Sequence, residues 1–208
     1  MKKKFLDVGC KTGSSFRIVS NRFGYIPEEG IGVDINESHV KHLSDSGIDS
    51  MVANAMNLPF DDGSFELVIF NHVIEHLPDE QSGMKALEEC LRVSSKYLYL
   101  ALPFFDEDSY LNSIKMKTYY SDWTGHKNMV TLKKLKEYLK DYNLDITMQK
   151  KLTDSSFSEI HPLNSPEDSH GYDPSIHPKK DILVFEREIW REYIILVDKS
   201  SLSNSLSY

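Results

Sequence analysis

The sequence predicts a doubly wound α/β fold, a mostly parallel sheet with helices on both faces, and three observations carry that prediction. Short β-branched or aromatic runs alternate with helical patterns from the first residues, as βαβ units require. Residues able to cap free backbone N–H groups stand at the expected helix starts: Ser14 or Ser15, Asn36, Asp79 and Thr131. At 208 residues, with 40% hydrophobic and 27% charged side chains, the chain has the size and composition of a single globular domain, 1–208.

Taken in order, strands are expected at 5–9, 31–35, 50–53, 66–70, 97–102, 144–150 and 192–198. Leu132, Leu135 and Leu139 form one apolar stripe on the last helix. Right-handed crossovers put such helices on both faces, and ligands then bind beyond the carboxyl ends of the strands. Two stretches break the alternation. Residues 103–128 hold Phe104, Phe105, Tyr110, Tyr119, Tyr120 and Trp123, and 153–181 hold Pro162, Pro166, Pro174 and Pro178 among Ser, Asp and His, which predicts a long irregular loop. Both are expected to be lid segments and the most mobile ordered parts, and the serine-rich tail 200–208 is expected to fray.

Composition narrows the functions. Apolar runs such as 193–197 fall far short of the roughly 20 residues that cross a bilayer, so no membrane span is expected. The basic start Met1-Lys2-Lys3-Lys4 is followed at once by Asp7 and Gly9, which interrupt an export signal. Only Cys10 and Cys90 occur, so a cytoplasmic, reducing location is expected rather than a disulfide framework. A net charge of −8 disfavours nucleic acid as a partner, although nine lysines against four acidic residues between 111 and 151 leave one region able to meet an anion.

The first strand runs into Asp7-Val8-Gly9-Cys10-Lys11-Thr12-Gly13 and then a helix start. Glycines there let a ligand approach the backbone, and the helix N-terminus presents free N–H groups. Lys11 and Ser14 occupy the second and third glycine positions of the nicotinamide fingerprint, which speaks against a nucleotide-cofactor oxidoreductase. The second strand ends in Gly32-Val33-Asp34-Ile35-Asn36, where Asp34 suits the two hydroxyls of a ribose and Asn36 suits the helix cap. In Asn54-Ala55-Met56-Asn57-Leu58-Pro59-Phe60-Asp61-Asp62-Gly63-Ser64-Phe65 a proline-fixed turn leads to the fourth strand, and Asn54 could bond an adenine edge.

These three blocks, in this order and spacing, resemble the class I S-adenosylmethionine-dependent methyltransferases, especially the small-molecule group with an L-P-F-x-D-x-S-F block. The resemblance extends from Phe5 to about Lys150 and implies a Rossmann-like, seven-stranded sheet with its last strand antiparallel. It implies that Asp7, Gly9, Cys10, Lys11 and Gly13 line the methionine and ribose part of S-adenosylmethionine, that Asp34 binds the ribose hydroxyls and that Ile35 packs on adenine. Asn54, standing where the family usually has Asp, would meet the adenine amino group beside Ala55. Lys11 replaces the usual middle glycine, which could alter affinity. The family's usual helix ahead of the first strand is not seen here, so cover is expected from the two lid segments.

After the fourth strand comes Asn71-His72-Val73-Ile74-Glu75-His76-Leu77-Pro78, and the resemblance implies that Asn71 and His72 face the transferred methyl group. For a hydroxyl acceptor, His72 and His126 are the candidate bases. His72-x-x-Glu75-His76 also spells the inverted zinc-protease motif, but its place at the end of a parallel strand argues against that reading. Some methyltransferases of small RNAs and quinone precursors carry a metal-binding Glu-x-x-Glu-His there. Metal-assisted O-methyl transfer through His72, Glu75, His76 and His126 is therefore an alternative to the favoured metal-free site. His161, His170 and His177 stand too far apart for a compact metal motif, which predicts solvated loop histidines. The expected partner is a small-molecule acceptor, a homodimer is compatible, and a non-catalytic cofactor-binding protein of the same fold is the remaining rival.

Overall fold

The computed structural model describes residues 3–200. The main sheet joins β1 (Phe5–Val8), β2 (Gly30–Asp34), β3 (Ser50–Val52), β4 (Phe65–Asn71), β5 (Ser94–Pro103), β7 (Asn143–Asp154) and β9 (Val184–Asp198) in the order β3-β2-β1-β4-β5-β9-β7. β9 runs antiparallel to both its neighbours and every other pair is parallel, the seven-stranded, Rossmann-like arrangement expected for this chain. β6 (Met116–Thr118) and β8 (Ile160–Pro162) pair separately. Five helices, α1 (Ser14–Phe23), α2 (Glu37–Asp45), α3 (Glu80–Val93), α4 (Asp108–Ser113) and α5 (Leu132–Tyr138), complete the described residues. None of them is long and apolar enough to cross a membrane.

Strand alternation divides the core into two layers. Leu6, Val8, Val68 and Phe70 pack with Ala86, Leu87 and Cys90 of α3 and Leu135 of α5. Phe5, Leu67 and Ile69 face the other way, against Phe16 and Val19 of α1 and Leu43 of α2. Because successive side chains point to opposite faces and both faces are covered, β1 and β4 carry near-continuous apolar runs. The chain reverses direction across the sheet at β1, between β2 and β4, and that switch point opens a crevice beyond the strand ends.

Asn36, Asp79 and Thr131 cap their helices by accepting the N–H of Ser38 (2.9 Å), Ser82 (2.8 Å) and Lys134 (3.3 Å). The first helix departs from expectation. Its N-cap is Gly13 at φ 81, not Ser14 or Ser15, and no side chain bonds its first turn. The N–H groups at that end are left for a ligand.

The two lid segments depart further. They contribute α4, β6, β8 and the end of β7, and their Leu111, Met116 and Ile160 pack with Leu152, Phe185 and Ile189 of β7 and β9 in a small core. The second segment is therefore not irregular throughout, because β8 and Ile160 anchor it against the sheet. Five of the nine lysines between 111 and 151 are engaged by acidic partners. Lys117 is buried against Asp122 and the Ser165 carbonyl, and Lys134, Lys140, Lys150 and Lys151 pair with Glu80, Glu137, Glu159 and Glu188. The tail beyond Ser200 lies outside the described residues.

Candidate active site

Parallel register sets Val8 beside Val33, so the loop after β1 and the tip of β2 emerge together. Gly9 turns there at φ 74, donating its N–H to the Val33 carbonyl at 2.8 Å. Asp34 Oδ2 accepts the Lys11 N–H at 3.0 Å and Oδ1 accepts the Asn36 N–H at 2.9 Å, which holds the carboxylate at the mouth of the crevice. His39 Nδ1 lies 3.2 Å from Asp34 Oδ2, a neighbour from α2 that no motif announces. Behind the loop, Asp7 is 1% exposed and both its carboxylate oxygens lack a hydrogen-bond partner. Burial above all raises its pKa to about 7, the Ser15 hydroxyl offsetting part of that and the Asp34 charge adding to it. An orphaned buried carboxylate beside a glycine loop fits a ligand that carries an ammonium group, as S-adenosylmethionine does.

Other residues assigned to the cofactor fall around the same crevice with different means of contact. Ile35 is 69% exposed at the β2 tip, an apolar side chain free to cover a flat ring. Asn54 is exposed, and its Oδ1 accepts the Met56 N–H at 2.9 Å, which orients the side chain beyond β3 with Ala55 half-buried next to it. Gly13 takes φ 81 as the helix cap. The Cys10 thiol is 1% exposed, lies against Gly32, and has its pKa pushed up to about 12, first by burial and then by Asp7. The Cys10 side chain is thus part of the core behind the loop. Lys11, at the position where the resemblance calls for glycine, adopts φ 48. A left-handed residue with a Cβ costs roughly 1–2 kcal/mol and glycine recovers part of that, so Lys11→Gly should stabilise the protein by about 0.5–1 kcal/mol. A thermal melt showing no gain would mean that the lysine side chain makes compensating contacts.

A second centre forms where β4, β5 and β9 end. Asn71 closes β4, half-buried, and His72 follows at φ 53. The His72 ring sits between two carboxylates, Nδ1 3.0 Å from Glu75 Oε1 and Nε2 3.1 Å from Glu192 Oε2. Burial opposes its charge, but Glu192 and Glu75 outweigh it and raise its pKa to about 9. His72 is thus an imidazolium at neutral pH and has no lone pair to offer, which corrects its expected role as a base. His126 behaves oppositely. Burial lowers its pKa, and its Nδ1 is 2.6 Å from the Tyr120 carbonyl, so the ring is neutral with Nε2 free.

His76 makes the same kind of bond, Nδ1 to the Gly125 carbonyl at 2.8 Å, while Glu75 is fully buried with Oε2 unpartnered. Glu75, His76 and His126 each bring one donor atom within 4.8 Å of the others. These groups, with Tyr119, Trp123 and Arg191, wall a cleft of about 360 Å³. Trp123 and Tyr119 stay half-buried along it and Tyr120 lines it from a buried position, whereas Phe104 and Phe105 are packed away. Glu192 is not legible in the sequence, because it arrives from a strand 120 residues away.

Comparison with known proteins bears on this geometry. Residues 6–99 match a family described as methyltransferase domain. An uncharacterized protein of Methanocaldococcus jannaschii is 28% identical over 172 residues, covering 82% of this chain and 77% of that one. Tocopherol O-methyltransferase and tRNA (carboxymethyluridine(34)-5-O)-methyltransferase, both of Arabidopsis thaliana, are 36% and 29% identical over 41% and 58% of this chain, but over only 26% and 30% of their own lengths. A solved methyltransferase from Archaeoglobus fulgidus superposes with a TM-score of 0.61 at 20% identity, covering 95% of this chain and 86% of that one. The methyltransferase-domain match over 6–99 and a sheet of the same fold as solved S-adenosylmethionine-dependent methyltransferases together support an enzyme that uses S-adenosylmethionine.

Proposed function

We propose that the enzyme methylates a small molecule whose accepting hydroxyl or amine enters the cleft between His72, Trp123 and His126. The observation that carries this reading is the size and lining of the cleft, about 360 Å³ of aromatic and charged wall, within the range that encloses small ligands. S-adenosylmethionine carries its methyl group already activated on a sulfonium, so the chain's task is to hold the acceptor atom in line with it. Neutral His126 takes the acceptor's proton at Nε2. His72, protonated between Glu75 and Glu192, donates hydrogen bonds and fixes those carboxylates.

Calorimetry with S-adenosylmethionine and its demethylated product tests the cofactor half. Asp34→Ala should weaken both by about 1–3 kcal/mol, the scale for leaving hydroxyls unpaired in a buried site. Unchanged affinity would remove Asp34 from the site. Radiolabelled methyl transfer to small-molecule pools, against transfer to total RNA, tests the acceptor half, and RNA labelling alone would overturn the small-molecule reading.

Metal-assisted transfer is the second reading, favoured by Glu75 Oε2 without a partner and by two histidines whose Nδ1 atoms already face carbonyls. That pattern leaves both Nε2 atoms for a cation and is the usual outer support of a metal-ligating imidazole. Glu75, His76 and His126 would hold it, and a bound cation would acidify an acceptor hydroxyl. Under this reading, chelation should suppress turnover and lower the melting temperature. Turnover and melting unaffected by chelation would leave the metal-free site.

A further inference from the structure

The β6–β8 sheet carries a second constellation, apart from the methyl-transfer cleft. His161 lies at the centre of β8, opposite Lys117, and is 1% exposed with Nε2 lacking any hydrogen-bond partner. Its pKa is pushed down to about 4, by burial first and by His177 next, so the ring is neutral and keeps a lone pair. His177, 5% exposed, lies with its ring centroid 4.2 Å from that of His161. Its Nδ1 accepts the Asp173 N–H at 2.8 Å, so Nε2 carries the hydrogen and donates to Asp168 Oδ2 at 2.8 Å, while the Asp173 carbonyl lies 3.0 Å from the same Nδ1. One donor atom from each of His161, Asp168 and His177 lies within 4.8 Å of the others.

Packing alone explains this poorly, since a buried nitrogen without a partner costs about 1–3 kcal/mol. We propose that His161, Asp168 and His177 form a binding site for a divalent transition-metal ion, zinc foremost, that fastens the 163–181 segment to β8. Two imidazoles and one carboxylate suit zinc and its neighbours. Magnesium and calcium prefer oxygen alone, and copper(I) prefers sulfur. A cation would take the place of the hydrogen between His177 Nε2 and Asp168, and that hydrogen would move to Nδ1, where the Asp173 carbonyl at 3.0 Å can accept it in place of the Asp173 N–H contact. Tetrahedral zinc with bonds of about 2.0–2.2 Å needs donors roughly 3.3 Å apart, so binding would draw the three side chains together modestly.

Two ammonium groups stand nearby, and each is already engaged. Lys117 bonds Asp122 and the Ser165 carbonyl, and Lys180 bonds the Phe157 and Ile160 carbonyls. Affinity therefore rests on the imidazoles and Asp168 rather than on net charge. Ser169, next to Asp168, and Tyr119, whose ring centroid is 6.0 Å from that of His161, both line the acceptor cleft. The metal would brace the cleft wall from behind and would not meet the methyl group.

Chelator-stripped full-length protein titrated with zinc, and separately with cobalt for its visible spectrum, tests the site. The wild type and His126→Ala, which disables the cleft cluster, should each retain one equivalent assigned to the new site and melt higher with zinc. Asp168→Asn and His161→Ala should bind that equivalent at least tenfold more weakly and lose the zinc-dependent gain in melting temperature. Imidazole nitrogen resonances of His161 and His177 in the wild type, which shift on zinc addition if they ligate, decide the matter should either variant fail to fold. A wild type whose only zinc is lost in His126→Ala, equal zinc affinity in the Asp168 variant, or unmoved His161 and His177 resonances would overturn the proposal.

Discussion

Asp7→Asn is expected to raise the melting temperature of the cofactor-free enzyme at pH 8 while weakening S-adenosylmethionine binding tenfold or more. Asp7 is buried with both oxygens unpartnered, and its pKa of about 7 lies well above the ordinary 3.8. Below about pH 4 the carboxyl is protonated in folded and unfolded chains alike and costs nothing on this account. As the pH rises from about 4 to 7 the unfolded chain releases its proton first, so stability falls and the full loss is present above pH 7. A shift of this size corresponds to about 4 kcal/mol at most. A buried amide with imperfect partners returns about 1–3 kcal/mol of that. The net gain should be about 1–2 kcal/mol, or about 3–6 °C for a chain of this length. Scanning calorimetry at pH 5 and pH 8 should show the gain mainly at the higher pH. A lower melting temperature at pH 8, or intact cofactor affinity, would take Asp7 out of this role. The carboxylate would then not be a group whose instability is kept because a cationic ligand needs it.

Gly9→Ala should do more damage, and Gly24→Ala is its control. Both glycines sit at φ 74, so both substitutions meet the left-handed penalty of about 1–2 kcal/mol. At Gly24 nothing lies within 4 Å of an added Cβ, whereas at Gly9 it would stand 2.4 Å from Val73 Cγ2. Overpacking typically adds about 1–3 kcal/mol. Gly9→Ala should therefore lower stability by about 2–5 kcal/mol, with cofactor binding lost because the loop can relieve the clash only by moving away from Val73. Equal melting temperatures for the two variants would mean that Val73 yields freely. Retained cofactor binding in Gly9→Ala would mean that the loop need not approach its ligand closely.

The strand ends that frame the proposed cofactor site are legible in the amino-acid sequence. Strand ends at Gly9, Asp34 and Asn54 follow from period-2 apolar runs punctuated by glycine, acidic and turn residues, all signals carried within a few positions of chain. The same logic locates Asn36, Asp79 and Thr131 as caps, because capping is a bond between a side chain and a backbone N–H two or three residues on. It fails at the first helix, where serines look better than the glycine that serves, since the left-handed turn of the loop decides that cap. It also fails at β6 and β8. Those strands are three residues each and are paired only across a long stretch of chain, so no local pattern announces them.

What the sequence determined by itself is the sheet, its alternating helices and the residue types at three successive strand ends, because those depend on spacing along the chain. Tertiary structure alone decided which groups face one another. His72 is held as an imidazolium by Glu75 together with Glu192, which reaches it from the last strand, and His126 has its pKa lowered by burial. His161 and His177, in a proline-rich segment whose composition predicts solvated loops, are buried side by side by the pairing of β6 with β8 and by the turn at Asp173. Charge state and ligand geometry are set by neighbours in space at a few ångströms. Which neighbours those are is fixed by long-range packing, to which no short window of sequence has access.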